Sequence, residues 1–260
     1  MFNSFDLAAK DYDRSFTNSK IGKYQRKLVY DYFLRTIDNN KKLDILEVNC
    51  GTGEDAIWLA KQGHKVLATD ISEAMLHTAQ NKTNLSNLNF QLLNLNNLDK
   101  IESSKKYDLI FSNFGGLNCI SSEKLIKFFS NSRNKLNEQG KIVCVIMPKN
   151  CIWDNIYLFF KGKCKLLFRR NNNNAVNVSV HGHLVSTWYY NPMELESFAN
   201  DYFDVENYAP IGLFVPPSYL ESFFSNKKFI LGVLAWLDNH MKFKRLSKFA
   251  DHFIITFKAK

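Results

Sequence analysis

Between residues 43 and 147 the chain alternates short apolar runs with amphipathic stretches, and no other feature constrains the fold as strongly. "LDILEVN" is brief and almost continuously apolar, which fits a strand buried on both faces. "KVLATD", "LNFQLLN", "YDLIFSN" and "KIVCVIM" read as four more strands, the last ended by Pro148. Helices are predicted between them. "EDAIWLAKQG" is closed by Gly63, and "EAMLHTAQNK" is capped by Ser72. "SEKLIKFFSNSRNKLNEQG" puts Leu125, Phe128, Phe129, Ser132 and Leu136 on one side and stops at Gly140. Such alternation predicts a doubly wound, mostly parallel sheet with helices on both faces. "IGKYQRKLVYDYFLRTI" supplies a leading helix.

After residue 148 the rhythm changes. "IWDNIYLFFKGKCKLLFRR" reads as helical, and "NAVNVSVHGHLVSTWYY" as a hairpin turning near Gly182. "PMELESFANDYF" reads as a helix opened by Pro192, "FDVENYAPI" as another strand, "PPSYLESFF" and "KKFILGVLAWLDNHM" as helices, and "HFIITFKA" as a final alternating strand. Neither a repeat nor a linker divides the chain. The expected plan is therefore one domain over 1–260: a helical covering segment at 1–40, a binding core at 41–148, an α+β cap at 149–248 inserted after the fifth strand, and a last sheet strand at 249–260.

With 260 residues, 45% of them hydrophobic, the chain is long enough to bury a substantial core. The N-terminus has early acids and no apolar signal core, so export is not expected. The longest apolar stretch, Phe229 to Leu237, is too short to span a bilayer. Cys50, Cys119, Cys144, Cys151 and Cys164 are odd in number and lack metal-ligand spacing, which reads as reduced thiols in the cytoplasm and no metal site. A formal charge of +9 invites a nucleic-acid reading, but the basic residues are scattered. "KGKCKLLFRR" and "KFKRLSK" are either solvated faces or docking points for an acidic partner or anionic surface.

"ILEVNCGTGEDA" joins the first strand to its helix through a glycine-rich turn, the usual cradle of a nucleotide cofactor, and "GTGEDA" fits a dinucleotide fingerprint. A pyrophosphate in such a turn rests on the helix N-terminus. Here that spot carries Glu54 and Asp55, and each close carboxylate would repel a pyrophosphate by about 1 kcal/mol or more. Either the two acids are plain helix-start residues, or the cofactor is a cation without phosphate.

These features resemble the class I S-adenosylmethionine-dependent methyltransferases, with similarity from the leading helix to about Pro148. "NCGTGEDA" is similar in wording to a bacterial branch of that family. Its first motif, an acid followed by a Gly-x-Gly-x-Gly turn, matches Glu47, Asn49, Gly51 and Gly53, with Asn49 in place of the first glycine. Asn tolerates positive φ best among side chains, so the turn survives. The resemblance implies S-adenosylmethionine as cofactor. Glu47 would steady the turn or hold the ammonium, with the backbone of Cys50, Gly51 and Gly53 against the cofactor. It also implies that Asp70 accepts from both ribose hydroxyls, two oxygens for two donors. Ile71 would lie on the adenine, Asn94 would offer a carbonyl to the adenine amino group, and Leu95 its N–H. Asn113, Phe114 and Gly115 would line the methionine end. The "FDLAAKDYDRSF" segment resembles a cofactor cover, in which Tyr12 would reach the methionine carboxylate and Tyr24 or Arg26 would help close the site. "YDLIFSNFGGLN" lacks both the Asn-Pro-Pro-Tyr pattern of nitrogen methylation and the acid of metal-dependent catechol enzymes.

The donor methyl is already activated, so the protein mainly has to align the reactants and exclude water. A base is needed only for a protonated acceptor. His181, His183, Tyr189 and Tyr190 in the hairpin are candidates, and His183 is preferred; His252 reads as structural. The aromatic cap then predicts in-line methyl transfer to a small apolar or aromatic metabolite, on oxygen. The alternatives are a methyltransferase of RNA or protein, a non-catalytic S-adenosylmethionine-binding protein, and an NAD-type oxidoreductase.

Overall fold

The computed structural model describes residues 6, 9, 12–38, 40–102, 105–180 and 183–260, with the side chains of 180 and 183 excepted. Helix α1 (Lys20–Thr36) follows a π-helical turn at Asp13–Thr17. Strand β1 (Asp44–Val48), helix α2 (Glu54–Lys61), β2 (Lys65–Asp70), α3 (Glu73–Gln80), β3 (Leu88–Leu92) and β4 (Tyr107–Ser112) then alternate as the apolar pattern predicts. Helix α4 (Ser122–Arg133) leads into β5 (Leu136–Ile146). The cap contributes α5 (Ile152–Phe160), the hairpin β6 (Val176–Val180) and β7 (His183–Thr187), and α6 (Pro192–Ala199). Strand β8 (Phe203–Ile211), helix α7 (Lys228–His240) and β9 (His252–Ala259) complete the chain.

The sheet runs β3-β2-β1-β4-β5-β9-β8. The pairs among β1 to β5 are parallel, whereas β9 is antiparallel to both its neighbours. Because the chain starts at β1 and winds first one way and then the other, the order reverses between β1 and β4. Ligands of open α/β sheets bind at such a switch point, beyond the carboxyl ends of the strands. Leu46, Ile110, Ile142 and Ile255 point into one apolar layer, and Ile45, Leu109, Val143 and Ile254 into the other. Two buried layers explain why these strands read as continuous apolar runs.

Several boundaries differ from the sequence reading. Helix α4 buries Leu125, Phe128, Phe129 and Ser132 as predicted, but it ends at Arg133; Leu136 and Gly140 belong to β5, whose register with β4 shifts between Tyr107 and Leu109. Leu136 still faces the core, so one apolar residue served two templates. The helix expected over 152–170 stops at Phe160, because Gly162 takes a φ of 67° and turns the chain. Of "PPSYLESFF", only a 3-10 turn at Ser218–Leu220 and one helical turn at Glu221–Phe224 form. Strand β8 lies inside the stretch assigned to the cap yet is an edge strand of the main sheet. Strand β9 is buried on both faces rather than alternating, since β5 and β8 flank it.

The cap is tied to the leading helix. Glu221 accepts from the backbone N–H groups of Lys20 and Ile21 at 3.0 Å each, so a carboxylate from the far end of the sequence sits on the positive end of α1. No helix among the described residues is long and apolar enough to cross a membrane.

Candidate active site

The glycine turn leaves β1 and immediately takes left-handed conformations. Asn49 has φ 57°, Gly51 53° and Gly53 77°, so Asn49 occupies the region its side chain was expected to tolerate. Hydrogen bonds from the Cys50 N–H to the Thr69 carbonyl and from the Gly53 N–H to the Cys50 carbonyl hold the turn. A Cβ on Gly53 would lie 2.7 Å from Ala79 and 3.1 Å from Phe90, so this glycine lets α2 pack closely. At Gly116 a Cβ would fall 2.5 Å from Asn49 Cβ. The residue replacing the first glycine therefore sits against a glycine supplied by the next turn.

Beyond β1, β2 and β4 opens a cleft of about 470 Å³. Tyr12, Asn49, Gly51, Asp70, Ile71, Asn94, Leu95, Asn113 and Phe114 line it, nine of the positions singled out in the sequence. Its other end is walled by Cys119, Ile120, Lys124, Leu184, Val185, Ser186 and Trp188. The cleft thus runs from a polar nucleoside-sized end to a more apolar end under the hairpin.

Asp70 is buried, and its oxygens already accept backbone N–H groups, Oδ2 from Gly51 at 2.8 Å and Oδ1 from Ser72 at 2.9 Å. Each oxygen keeps a lone pair for a further donor. Burial raises its pKa, and those two N–H groups oppose the rise. Asn49 Nδ2 and Asn113 Nδ2 are buried donors without protein partners, and Glu47 Oε2 is an acceptor in the same state. The two asparagines line the cleft, and their unpaired donors fit a polar ligand that completes them. Burial and the neighbouring Asp55 push the Glu47 carboxyl well above its ordinary range. Glu47 and the Cys50 and Gly53 side of the turn lie behind the cleft wall rather than on it.

The leading segment closes over this end. Asp13 accepts from the Thr52 hydroxyl at 2.6 Å and pairs with Lys82 at 2.6 Å, while Ser72 donates to Asp6. Tyr12, between these latches, reaches the cleft; burial pushes its phenol to about 12, so it stays protonated and able to donate.

Other assignments change. Asp55 does not face the cleft: it is buried, lies 3.3 Å from Arg26 Nε and accepts from the Tyr30 hydroxyl at 2.8 Å. Glu54 points toward Lys82, 3.9 Å away. Asp55 is thus compensated and turned away, while Glu54 shares with Asp13 a lysine that Asp13 holds more closely, so the repulsion argument against a pyrophosphate loses the Asp55 half of its force. Arg26 does not close the site; its guanidinium stands 5.3 Å from the Phe114 ring and 5.7 Å from Phe16, bracing the wall from behind. Tyr24 packs with Ile21, Val215, Phe224 and Leu231, away from the cleft. The Asn94 carbonyl oxygen caps the turn that follows it, accepting from Asn96 N and Asn96 Nδ2, so it is not free for an adenine amino group.

In the hairpin, β7 begins at His183, whose side chain lies outside the described residues, as does His181 entirely. Tyr190 donates to the Ile120 carbonyl at 2.6 Å, and Tyr189 is buried beneath Arg170, so both are packing residues. His252 lies 3.2 Å from Asp251 and edge-on to Phe114, a structural position as expected. The sequence reading missed Asn118. This fully buried amide accepts from Met147 N, and donates to the carbonyls of Met147 and Trp188. It joins the end of β5 to the hairpin wall, and only the neighbouring "GG" hinted at a tight structure there. Lys124, a formal cation on the cleft, was also missed because its helix position reads as ordinary surface.

Sheet order, switch point and glycine turn together define an α/β domain built to hold a nucleoside cofactor. Residues 45–140 match the family model described as methyltransferase domain. A malonyl-[acyl-carrier protein] O-methyltransferase of Acetivibrio thermocellus is 32% identical over 111 residues, 42% of this chain and 36% of that protein. The first curated relatives are matched over 36% to 40% of their own lengths. Among solved structures, a protein of Pyrococcus horikoshii OT3 superposes with a TM-score of 0.63 at 17% identity, covering 96% of this chain and 99% of that one. Magnesium protoporphyrin IX methyltransferase of Synechocystis, solved with bound SAH, gives 0.57 at 14% identity, covering 91% and 83%. Residues 45–140 thus carry a methyltransferase domain, on a fold shared with the solved S-adenosylmethionine-dependent methyltransferases.

Proposed function

We propose that the chain methylates a small apolar or aromatic metabolite on oxygen. One observation carries this reading: a single cleft joins the Asp70 end to a wall made by Ile120, Leu184, Val185 and Trp188. S-adenosylmethionine, when bound, would supply a methyl group already activated as a sulfonium. Asp70 would hold the ribose hydroxyls with its two remaining lone pairs, Ile71 would cover the adenine face, and Tyr12 would donate to the carboxylate end. Asn49 and Asn113 offer their unpaired Nδ2 donors along the same path. Phe114 and the hairpin exclude water and hold the acceptor in line. Oxygen is favoured by the O-methyltransferase relative, and the apolar wall favours an acceptor with a ring or acyl chain.

Incubation with isotopically labelled methyl donor and a panel of phenolic, quinone and fatty acids, read by mass spectrometry, tests this. Labelling of apolar members at oxygen is expected. Labelling confined to small, highly polar compounds, or to RNA or protein, would replace the proposal.

A further inference from the structure

Helix α5 is amphipathic in the inverted sense. It turns Asp154 and Leu158 inward and leaves Ile152, Ile156, Phe159 and Phe160 outward, an i, i+4, i+7, i+8 stripe along one side. Phe160 is 82% exposed and Phe159 60%. After Gly162 reverses the chain, the segment folds back, with the Phe168 N–H donating to Asn155 Oδ1 at 2.9 Å, and this return adds exposed Leu166 and Phe168. The result is an exposed group of six large apolar side chains. Exposed Lys161, Lys163 and Lys165 alternate with them, and no acidic residue occurs between 155 and 193. Asp154 beneath is buried and already paired with Arg169 and Arg170, so it leaves the lysines unopposed.

A soluble surface does not ordinarily group aromatic residues this way, and such a patch marks an interaction site. The geometry points to the surface of an anionic lipid bilayer as its occupant. Side chains as exposed as Phe159 and Phe160 can enter the region between headgroups and acyl chains, while lysine stems reach back to the phosphates. An acidic protein would satisfy the lysines but would also need deep pockets for Phe159, Phe160 and Phe168. This inference is independent of the methyl acceptor, since it concerns only where the chain rests.

Sedimentation of the full chain with phosphatidylcholine vesicles, with and without phosphatidylglycerol, tests it. Binding is expected only to the anionic vesicles, weakening as salt is raised. The combined K161Q, K163Q and K165Q variant should bind on the order of a hundredfold more weakly, from roughly fivefold per lysine. The F159S and F160S double variant should lose about tenfold or more. Each variant is checked by circular dichroism and by calorimetric binding of S-adenosylmethionine, so that loss of fold is distinguished from loss of docking. Equal binding by the variants, or none by the parent chain, overturns the proposal. So does a dimer of the parent chain that dissociates in the F159S and F160S variant, or polyglutamate binding in place of vesicle binding.

Discussion

At the residue scale, Asp70 does two jobs with one carboxylate, ordering the turn through Gly51 and Ser72 and presenting lone pairs to the cleft. Asp70→Ala should weaken S-adenosylmethionine binding by about ten- to a hundredfold, the range for hydrogen bonds to a charged group, as measured by titration calorimetry. Asn49 and Gly116 form a second unit. A methyl group on Gly116 would press 2.6 Å from Asn49 Nδ2 as well as on its Cβ, and Asn49 is held at φ 57° with little room to yield. Gly116→Ala should therefore cost about 1–3 kcal/mol in urea unfolding, the usual penalty of overpacking. Adding Asn49→Gly should recover most of that loss, and a full double-mutant cycle measures the coupling. Asn49 was legible in the sequence because positive φ selects so few side chains. Its dependence on Gly116 was not, since the two positions meet only through the pairing of β1 with β4.

At the scale of elements, the wall of the cleft hangs on one amide. Asn118→Ala would leave the Met147 N–H and the Trp188 carbonyl without their side-chain partner, at a cost of about 2–3 kcal/mol. Faster hydrogen exchange at the Trp188 amide, which donates to the Asn118 carbonyl at 2.7 Å, should accompany that loss. The strands and most helices of the core were readable because buried parallel strands leave continuous apolar runs and caps leave Ser or Gly at fixed places. The end of α4 was not, because Leu136 suits the apolar face of a longer helix and the first residue of β5 equally well. Arg26 and Tyr24 show the same limit. Helical spacing placed them on α1, but their roles were set by Asp55 and by the cap, partners that only the fold brings near.

The whole molecule is held at its seam by buried charge. Asp251, at the start of β9, accepts from Gln25 of α1 at 3.1 Å and pairs with Arg170 of the cap at 3.2 Å. Burial alone would raise its pKa, but His252 and then Arg170, with the Gln25 hydrogen bond, more than offset this and hold the carboxyl far below its ordinary range. A group with a depressed folded pKa contributes stability above its unfolded value, about 4, and that contribution is lost as pH falls toward the folded one. The melting temperature should thus drop on acidification below about pH 4. Asp251→Asn should flatten that limb and cost about 1.5–3 kcal/mol at neutral pH, because Arg170 loses one of its two carboxylate partners and keeps only Asp154, which it shares with Arg169. Thermal scans of both proteins across the acid range give the comparison. None of this seam was visible in the sequence, where Arg170 and Asp251 stand 81 residues apart.

The compensated acid at Asp55 moves the weight of the cofactor assignment from local repulsion to the methyltransferase domain matched at 45–140 and the shape of the cleft. Titration calorimetry of the full chain with S-adenosylmethionine and, separately, with NAD tests that assignment most directly. One equivalent of S-adenosylmethionine should bind, with affinity that depends on Asp70, and NAD should produce no heat. Saturable NAD binding that Asp70→Ala abolishes, with no response to S-adenosylmethionine, would contradict it.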